Sequence, residues 1–244
     1  MQQEVIIVGG GMVGLSLALM LAKQNIAVKL LEAIKYPNYD DVNLAPYHSS
    51  FDARNSALSR RTVQIYQELG LWSALQEHAT PILEVNITEQ GSFGKARLKA
   101  EQEKVESFGQ VIENAWLGRV LLTEVQKQPF IELIDGVQVT QLTQDADMAY
   151  IKASRGEEQL SLQAKLVIAA DGRDSFCRKA LGIGASEHDY DQVAIVTTVQ
   201  TSKPHNHVGF ERFSSLGPLA LLPLPGEYRR SVVWPVKKGT EGEW

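Results

Sequence analysis

A chain of 244 residues, 44% hydrophobic and 22% charged, is ordinary globular material, long enough for a substantial core or for two domains. Its net charge of -5 argues against nucleic acid as the main partner, since such binders carry a clustered basic face; the pairs Arg229-Arg230 and Lys237-Lys238 read as solvated surface. One cysteine, Cys177, excludes an intrachain disulfide framework and fits a reducing cytoplasm, and the sequence holds no run of 18 apolar residues. The expectation is a cytoplasmic protein, at most peripheral on a membrane.

The chain opens with Val5-Ile-Ile-Val8, a short apolar run suited to a strand covered on both faces. It leads into Gly9-x-Gly11-x-x-Gly14 and an apolar helix over Met12 to Gln24. Glycines allow a tight turn and close backbone approach to a ligand, and the helix start, at Met12 and Val13, presents amides and a positive dipole end to an anion. A second strand, Ala27 to Leu31, ends in Glu32, 18 residues after Gly14 and close to the roughly 20 expected for the acid that grips a ribose hydroxyl. An acid at that place disfavours a ribose 2'-phosphate, which leaves FAD or NAD.

Ala33 to Ser50, rich in Tyr, Pro, Asn and Asp, reads as a long loop. A helix from Arg60 to Leu69 follows, with Ser59 as its N-cap. Val85 to Glu89 and Lys95 to Ala100 flank Gln-Gly-Ser-Phe-Gly as a hairpin, Leu117 to Gln126 is helical, and Ile131 to Ile134 is a strand. Three alternating segments, Gln138 to Gln144, Met148 to Ser154 and Gln159 to Ala164, predict a meander. From Gln192 the pattern is all strand: Val193 to Gln200, His207 to Phe213, Leu219 to Leu222 and Tyr228 to Val236.

Leu166 to Ala170 repeats the opening theme, entering Asp171-Gly172 and a helix from about Ser175. Asp171 therefore emerges at the carboxyl end of a strand, where open parallel sheets bind ligands. His205 and His207 have alternating strand spacing, but no Cys or carboxylate set completes a metal site, and none is expected. No residue is singled out as catalytic.

Together, Gly9-x-Gly11-x-x-Gly14, Glu32 and Asp171-Gly172 with Ser175 and Arg178 resemble the class A FAD-dependent aromatic monooxygenases. The resemblance implies FAD as cofactor and NAD(P)H as co-substrate. It also implies an α/β fold in which a Rossmann-like FAD domain of the glutathione-reductase type is interleaved with an antiparallel-sheet substrate domain. The expected division is 1–80 and 104–184 for the FAD domain, with 81–103 and 185–244 for the substrate domain.

Phe51-Asp-x-Arg54-x-x-Ala57-Leu58, followed by a helix ending Leu-Gly-Leu-Trp72, narrows the likeness to the ubiquinone-biosynthesis hydroxylases. Within them it is most like the branch acting on 2-octaprenyl-6-methoxyphenol. That implies a prenylated phenol and oxygen as substrates, contact with the inner membrane surface or other quinone-pathway proteins, and no nucleic acid. Arg54 is then expected beside the flavin and its phosphates, and Arg119, opening the Leu117 helix, at the FAD phosphate and ribityl region. Other flavoproteins of this fold, such as epoxidases and prenyl reductases, remain alternatives, as does a chain without turnover. The family's later Gly-Asp motif is absent from the 244 residues, so the chain reads as the first part of a family member, truncated at its C-terminus.

Overall fold

The computed structural model describes residues 5–36, 52–240 and 242. In chain order the elements are β1 (Val5–Val8), α1 (Met12–Lys23), β2 (Val28–Leu31), β3 (Asn55–Ser59), α2 (Arg60–Glu68), α3 (Trp72–Leu75) and a single 3-10 turn at Gln76–His78. There follow β4 (Ala79–Pro81), β5 (Glu84–Glu89), β6 (Lys95–Lys99), β7 (Gly109–Glu113), α4 (Asn114–Lys127), β8 (Ile131–Ile134), β9 (Gln138–Gln144), β10 (Ala149–Arg155) and β11 (Glu158–Ala164). The chain continues with β12 (Leu166–Ala169), α5 (Phe176–Ala180), β13 (Gln192–Gln200), β14 (Val208–Phe213), β15 (Leu219–Pro223) and β16 (Arg229–Lys237). Of the expected loop at 33–50, only 33–36 fall within the described residues; 37–51, including Phe51, lie outside them.

Two compact units are present. The first comprises 1–52 and 115–186, the second 53–114 and 187–244. The last crossing falls two residues from the expected one, whereas the segments 53–80 and 104–114, assigned by the sequence to the first domain, pack with the second.

The first unit is built on a parallel sheet ordered β12-β1-β2-β8. All four residues of β1 are buried, which explains a strand of Val and Ile without alternation. On one face, Ile6, Val8 and Leu31 form a core with Val139, Leu142, Ile151, Ala153, Ala164 and Cys177, so the antiparallel meander β11-β10-β9 backs the sheet. Against the sheet also lies α1, burying Leu15, Ala18, Leu19 and Ala22 at helical spacing. It stops at Gln24, with Asn25 in the left-handed region (φ 60) and the Ile26 amide returning to the Leu21 carbonyl at 3.1 Å. Lys29 of β2 pairs with Glu132 of β8 at 3.0 Å in direct register.

The second unit carries a six-stranded sheet, β13-β16-β15-β14-β5-β6, and a small antiparallel sheet, β3-β7-β4. Its core gathers Ile82, Val111 and Leu224 with Val85, Phe108 and Leu222. Ser59 caps α2 by accepting the Thr62 amide hydrogen, as its place in the sequence predicts. The helix expected from Leu117 begins earlier, at Asn114, whose side chain accepts a 2.7 Å bond from Ser56.

Candidate functional site

From β1 the chain passes through α1 to β2 on one side, while β12 joins on the other. The strand order therefore reverses at β1, and in open parallel sheets the ligand crevice lies outside the carboxyl ends at that point. A cleft of about 380 Å³ opens there. Val8 and Leu31 contribute the strand ends, Gly9, Gly11, Glu32 and Ala33 one side, and Ala170, Asp171, Gly172, Asp174 and Phe176 the other. Val137, Gln138 and Val139 complete the lining.

The glycine turn is sterically compelled. Gly9 has φ 107, and a Cβ on it would collide with the Ala170 carbonyl of the neighbouring crossover. A Cβ on Gly14 would drive into the Gly9 carbonyl, so only glycine lets α1 start this close to the turn. Gly11 is the N-cap, no side chain caps the helix, and no acidic residue stands in its first turn, where Met12 and Val13 lie. Val13 is 71% exposed, leaving the helix start accessible.

Glu32 is buried, and its carboxylate accepts the Gly10 amide at 2.5 Å and the Ile34 amide at 2.8 Å. Tyr36, also buried, donates its hydroxyl to the Gly10 carbonyl at 2.6 Å, and its own amide donates to Asp135 at 2.8 Å. Both polar groups of Gly10 are thus held by side chains from beyond β2. Sequence reasoning placed Glu32 but missed Tyr36, for which no local signal exists.

Across the cleft, Asp171 accepts the Ser175 hydroxyl at 2.6 Å and the Cys177 amide at 3.0 Å, while Ser175 caps α5 by accepting the Arg178 amide. Burial alone would raise the Asp171 pKa, but these hydrogen bonds outweigh it and the net shift is downward. The carboxylate is ionised and fixed in orientation. Burial, with the Asp171 charge adding to it, pushes the Cys177 thiol up to about 12, so it is neutral packing material.

Arg119 sits in the second turn of α4, not at its opening, because the helix starts at Asn114; its guanidinium lies 5.5 Å from the Trp116 ring centroid. Arg54 belongs to the second unit, exposed just before β3, with its carbonyl accepting the Asn114 amide at 2.9 Å. The structure therefore brings Gly9, Gly11, Glu32, Asp171 and Gly172 to the lining of one crevice of the first unit, with Met12, Val13 and Gly14 in the first turn of α1 outside that lining; Arg119, on the same unit, is not in the lining either, and Arg54 belongs to the other unit. His205 and His207 do share a place, their rings 5.1 Å apart, and the His207 amide donates to His205 Nδ1 at 3.0 Å. Among the described residues, no group of three or more His, Cys, Asp or Glu could hold a metal ion.

A glycine turn entering a helix, an acid at the end of the second strand, and a crevice at the sheet's reversal define a dinucleotide-binding α/β protein. The FAD binding domain family model matches residues 2–243, and the chain belongs to that family. Ubiquinone hydroxylase UbiL of Rhodospirillum rubrum is 33% identical over 231 residues, covering 95% of this chain and 51% of that protein. The 3-demethoxyubiquinol 3-hydroxylase of Escherichia coli is 32% identical over 233 residues, covering 95% and 56%. The chain spans about half the length of these curated relatives. Among solved structures, p-nitrophenol 4-monooxygenase PnpA of Pseudomonas putida superposes with TM-score 0.78 at 20% identity, over 99% of this chain and 60% of that one, so the fold is shared.

Proposed function

We propose that the protein serves the FAD-dependent hydroxylation of a prenylated phenol, of the 2-octaprenyl-6-methoxyphenol type, in ubiquinone biosynthesis, with NAD(P)H and molecular oxygen as co-substrates. The observation that carries the cofactor reading is the cleft at the β1 and β12 ends, whose turn has no room for a side chain at Gly9 or Gly14. The likeness to two ubiquinone-pathway hydroxylases supports the pathway.

In this reading the Gly9–Gly14 turn and the amides of Met12 and Val13 would hold the pyrophosphate. Glu32, whose carboxylate accepts the Gly10 and Ile34 amides, would also accept a ribose hydroxyl. Asp171, ionised and oriented by Ser175 and Cys177, would receive a donor from the cofactor, and Arg119 of the same unit would offer a guanidinium to its phosphates. Bound FAD would supply the reduction and oxygen-activation chemistry that no amino-acid side chain provides. The protein's part is to bind, orient and keep water from the reacting groups.

The test is a visible spectrum of purified protein with a titration of FAD, followed by NADH and NADPH consumption with oxygen and a short-chain 2-prenyl-6-methoxyphenol. Flavin binding with phenol-dependent turnover is the expected result. Flavin binding with turnover only on other isoprenoid substrates would move the assignment to an epoxidase or reductase, and no flavin binding would overturn it.

A further inference from the structure

Arg230, read from the sequence as solvated surface, is only 7% exposed, whereas its neighbour Arg229 stays outside and pairs with Glu113 at 3.1 Å. The Arg230 guanidinium lies 5.1 Å from the Phe210 ring centroid and makes one hydrogen bond, from Nη1 to the Val208 carbonyl at 2.8 Å. Among the described residues no carboxylate pairs with it, and burial lowers its pKa with no negative charge to offset the loss of water. Nε and Nη2 make no bond, and neither is fully enclosed as Asn55 Oδ1 and His207 Nδ1 are. That edge of the fork therefore reaches the surface unsatisfied.

The two histidines beside it supply no counter-charge. His205, 5% exposed, accepts the His207 amide on Nδ1, and burial first, then the charges of His207 and Arg230, hold its pKa below the ordinary value. Asn206 (φ 47) and His207 (φ 58) form a tight turn closed by the Val208 amide on the His205 carbonyl at 2.9 Å, which sets the Val208 carbonyl that holds Nη1. By register, Phe210, Leu221 and Val232 lie side by side across β14, β15 and β16, and Arg230, two residues from Val232, shares their face. It is the face opposite Leu222, which packs into the core. Phe210 is 39% exposed, and Leu221 and Val232 are half-buried.

We propose that this face binds a small monocarboxylate with an apolar body, its two oxygens side-on along Nε and Nη2 of Arg230 and its body on Phe210, Leu221 and Val232. Two features select that ligand. A guanidinium held flat by an aromatic ring and anchored at Nη1 presents its remaining edge as two parallel donors, the geometry that a planar carboxylate accepts. A single uncompensated positive charge beside an uncharged His205 matches a monoanion, whereas a phosphate dianion brings a second charge that none of these groups balances. The site lies wholly in the second unit and needs neither flavin nor turnover.

The test is a titration of the full chain, free of FAD, with benzoate. It is followed by calorimetry and by the NMR resonance of the Arg230 Nε–H, identified by its contact with the Phe210 ring. Benzoate binds and shifts that resonance. Arg230→Lys, which keeps the charge and loses the fork, weakens affinity about tenfold, and Arg230→Gln abolishes binding. Phe210→Ala weakens benzoate more than acetate, which has no body to lay on the strip. The proposal is overturned if benzoate leaves the Arg230 Nε–H unmoved, if an Arg230→Gln variant of wild-type thermal stability binds benzoate as wild type does, or if inorganic phosphate binds more tightly than benzoate. Should Arg230→Gln unfold, the resonance of the wild-type protein decides alone. Benzoate binding in a protein that takes up no flavin would remove the proposed function and leave this site standing.

Discussion

The Glu32 carboxylate grips the Gly10 amide across 22 residues of chain, tying the end of β2 to the turn after β1. The acid that would contact a ribose is thus also part of the turn that would cradle the pyrophosphate. Tyr36 completes the clasp from above, on the Gly10 carbonyl.

Glu32→Ala is accordingly predicted to weaken the protein before any ligand is added. Losing a charged hydrogen-bond acceptor from a buried amide costs about 1.5–3 kcal/mol, and Tyr36→Phe about 0.5–1.5 kcal/mol. Urea unfolding without FAD measures both. Wild-type stability in the Glu32→Ala variant, together with weakened FAD binding, would show that the carboxylate serves the ligand only.

The glycines separate by cause. Gly14→Ala and Gly9→Ala place a methyl inside backbone atoms and should lower the melting temperature sharply and remove bound flavin. Gly172→Ala meets nothing within 4 Å and bears only the strain of φ 81, about 1 kcal/mol. Flavin content and thermal melts of the three variants check this ranking.

Asp171 links the cleft to acid stability. Its folded pKa lies below the ordinary carboxylate value, so its contribution is complete above that value and is lost as pH falls through the lower, folded one. Asp171→Asn should flatten the decline of stability below roughly pH 5. Ser175→Ala removes both the hydroxyl donor to Asp171 and the cap of α5, and should cost about 0.5–2 kcal/mol. Unfolding midpoints across acid pH decide both.

Cys177 should resist alkylation in the native protein at pH 8, since its thiol titrates at about 12 and its side chain is buried. Rapid labelling in denaturant with slow labelling of the native chain is the expected contrast; equal rates would mean that α5 opens freely.

Strands written wholly in Val, Ile and Leu, such as Val5–Val8, were readable because burial on both faces leaves no alternation to misjudge, and β10 and β11 of the meander were readable because they alternate, while β9 keeps Val139 and Leu142 buried three apart across a register shift. The sheet β3-β7-β4 was missed. Asn-Ser-Ala-Leu-Ser and Ala-Thr-Pro carry too few apolar residues to announce strands, and their pairing with β7 is long-range. The division into units differs along with it: 53–80 and β7, both expected in the first domain and paired with each other, fall together in the second unit. In the crevice, glycine spacing and the acid at Glu32 are local signatures, whereas the Tyr36 contact depends on how the chain folds back after β2.

β1 finds one partner, β2, within the first 31 residues, but its other partner, β12, begins at Leu166. During synthesis the glycine turn is therefore complete long before the wall bearing Asp171 leaves the ribosome. A nascent chain shorter than that exposes an unpaired β1 edge and offers a nucleotide only half a binding site. Loading of the cofactor becomes a late event in the protein's life, and any lesion in residues 166–171 should appear first as aggregation of the newly made chain.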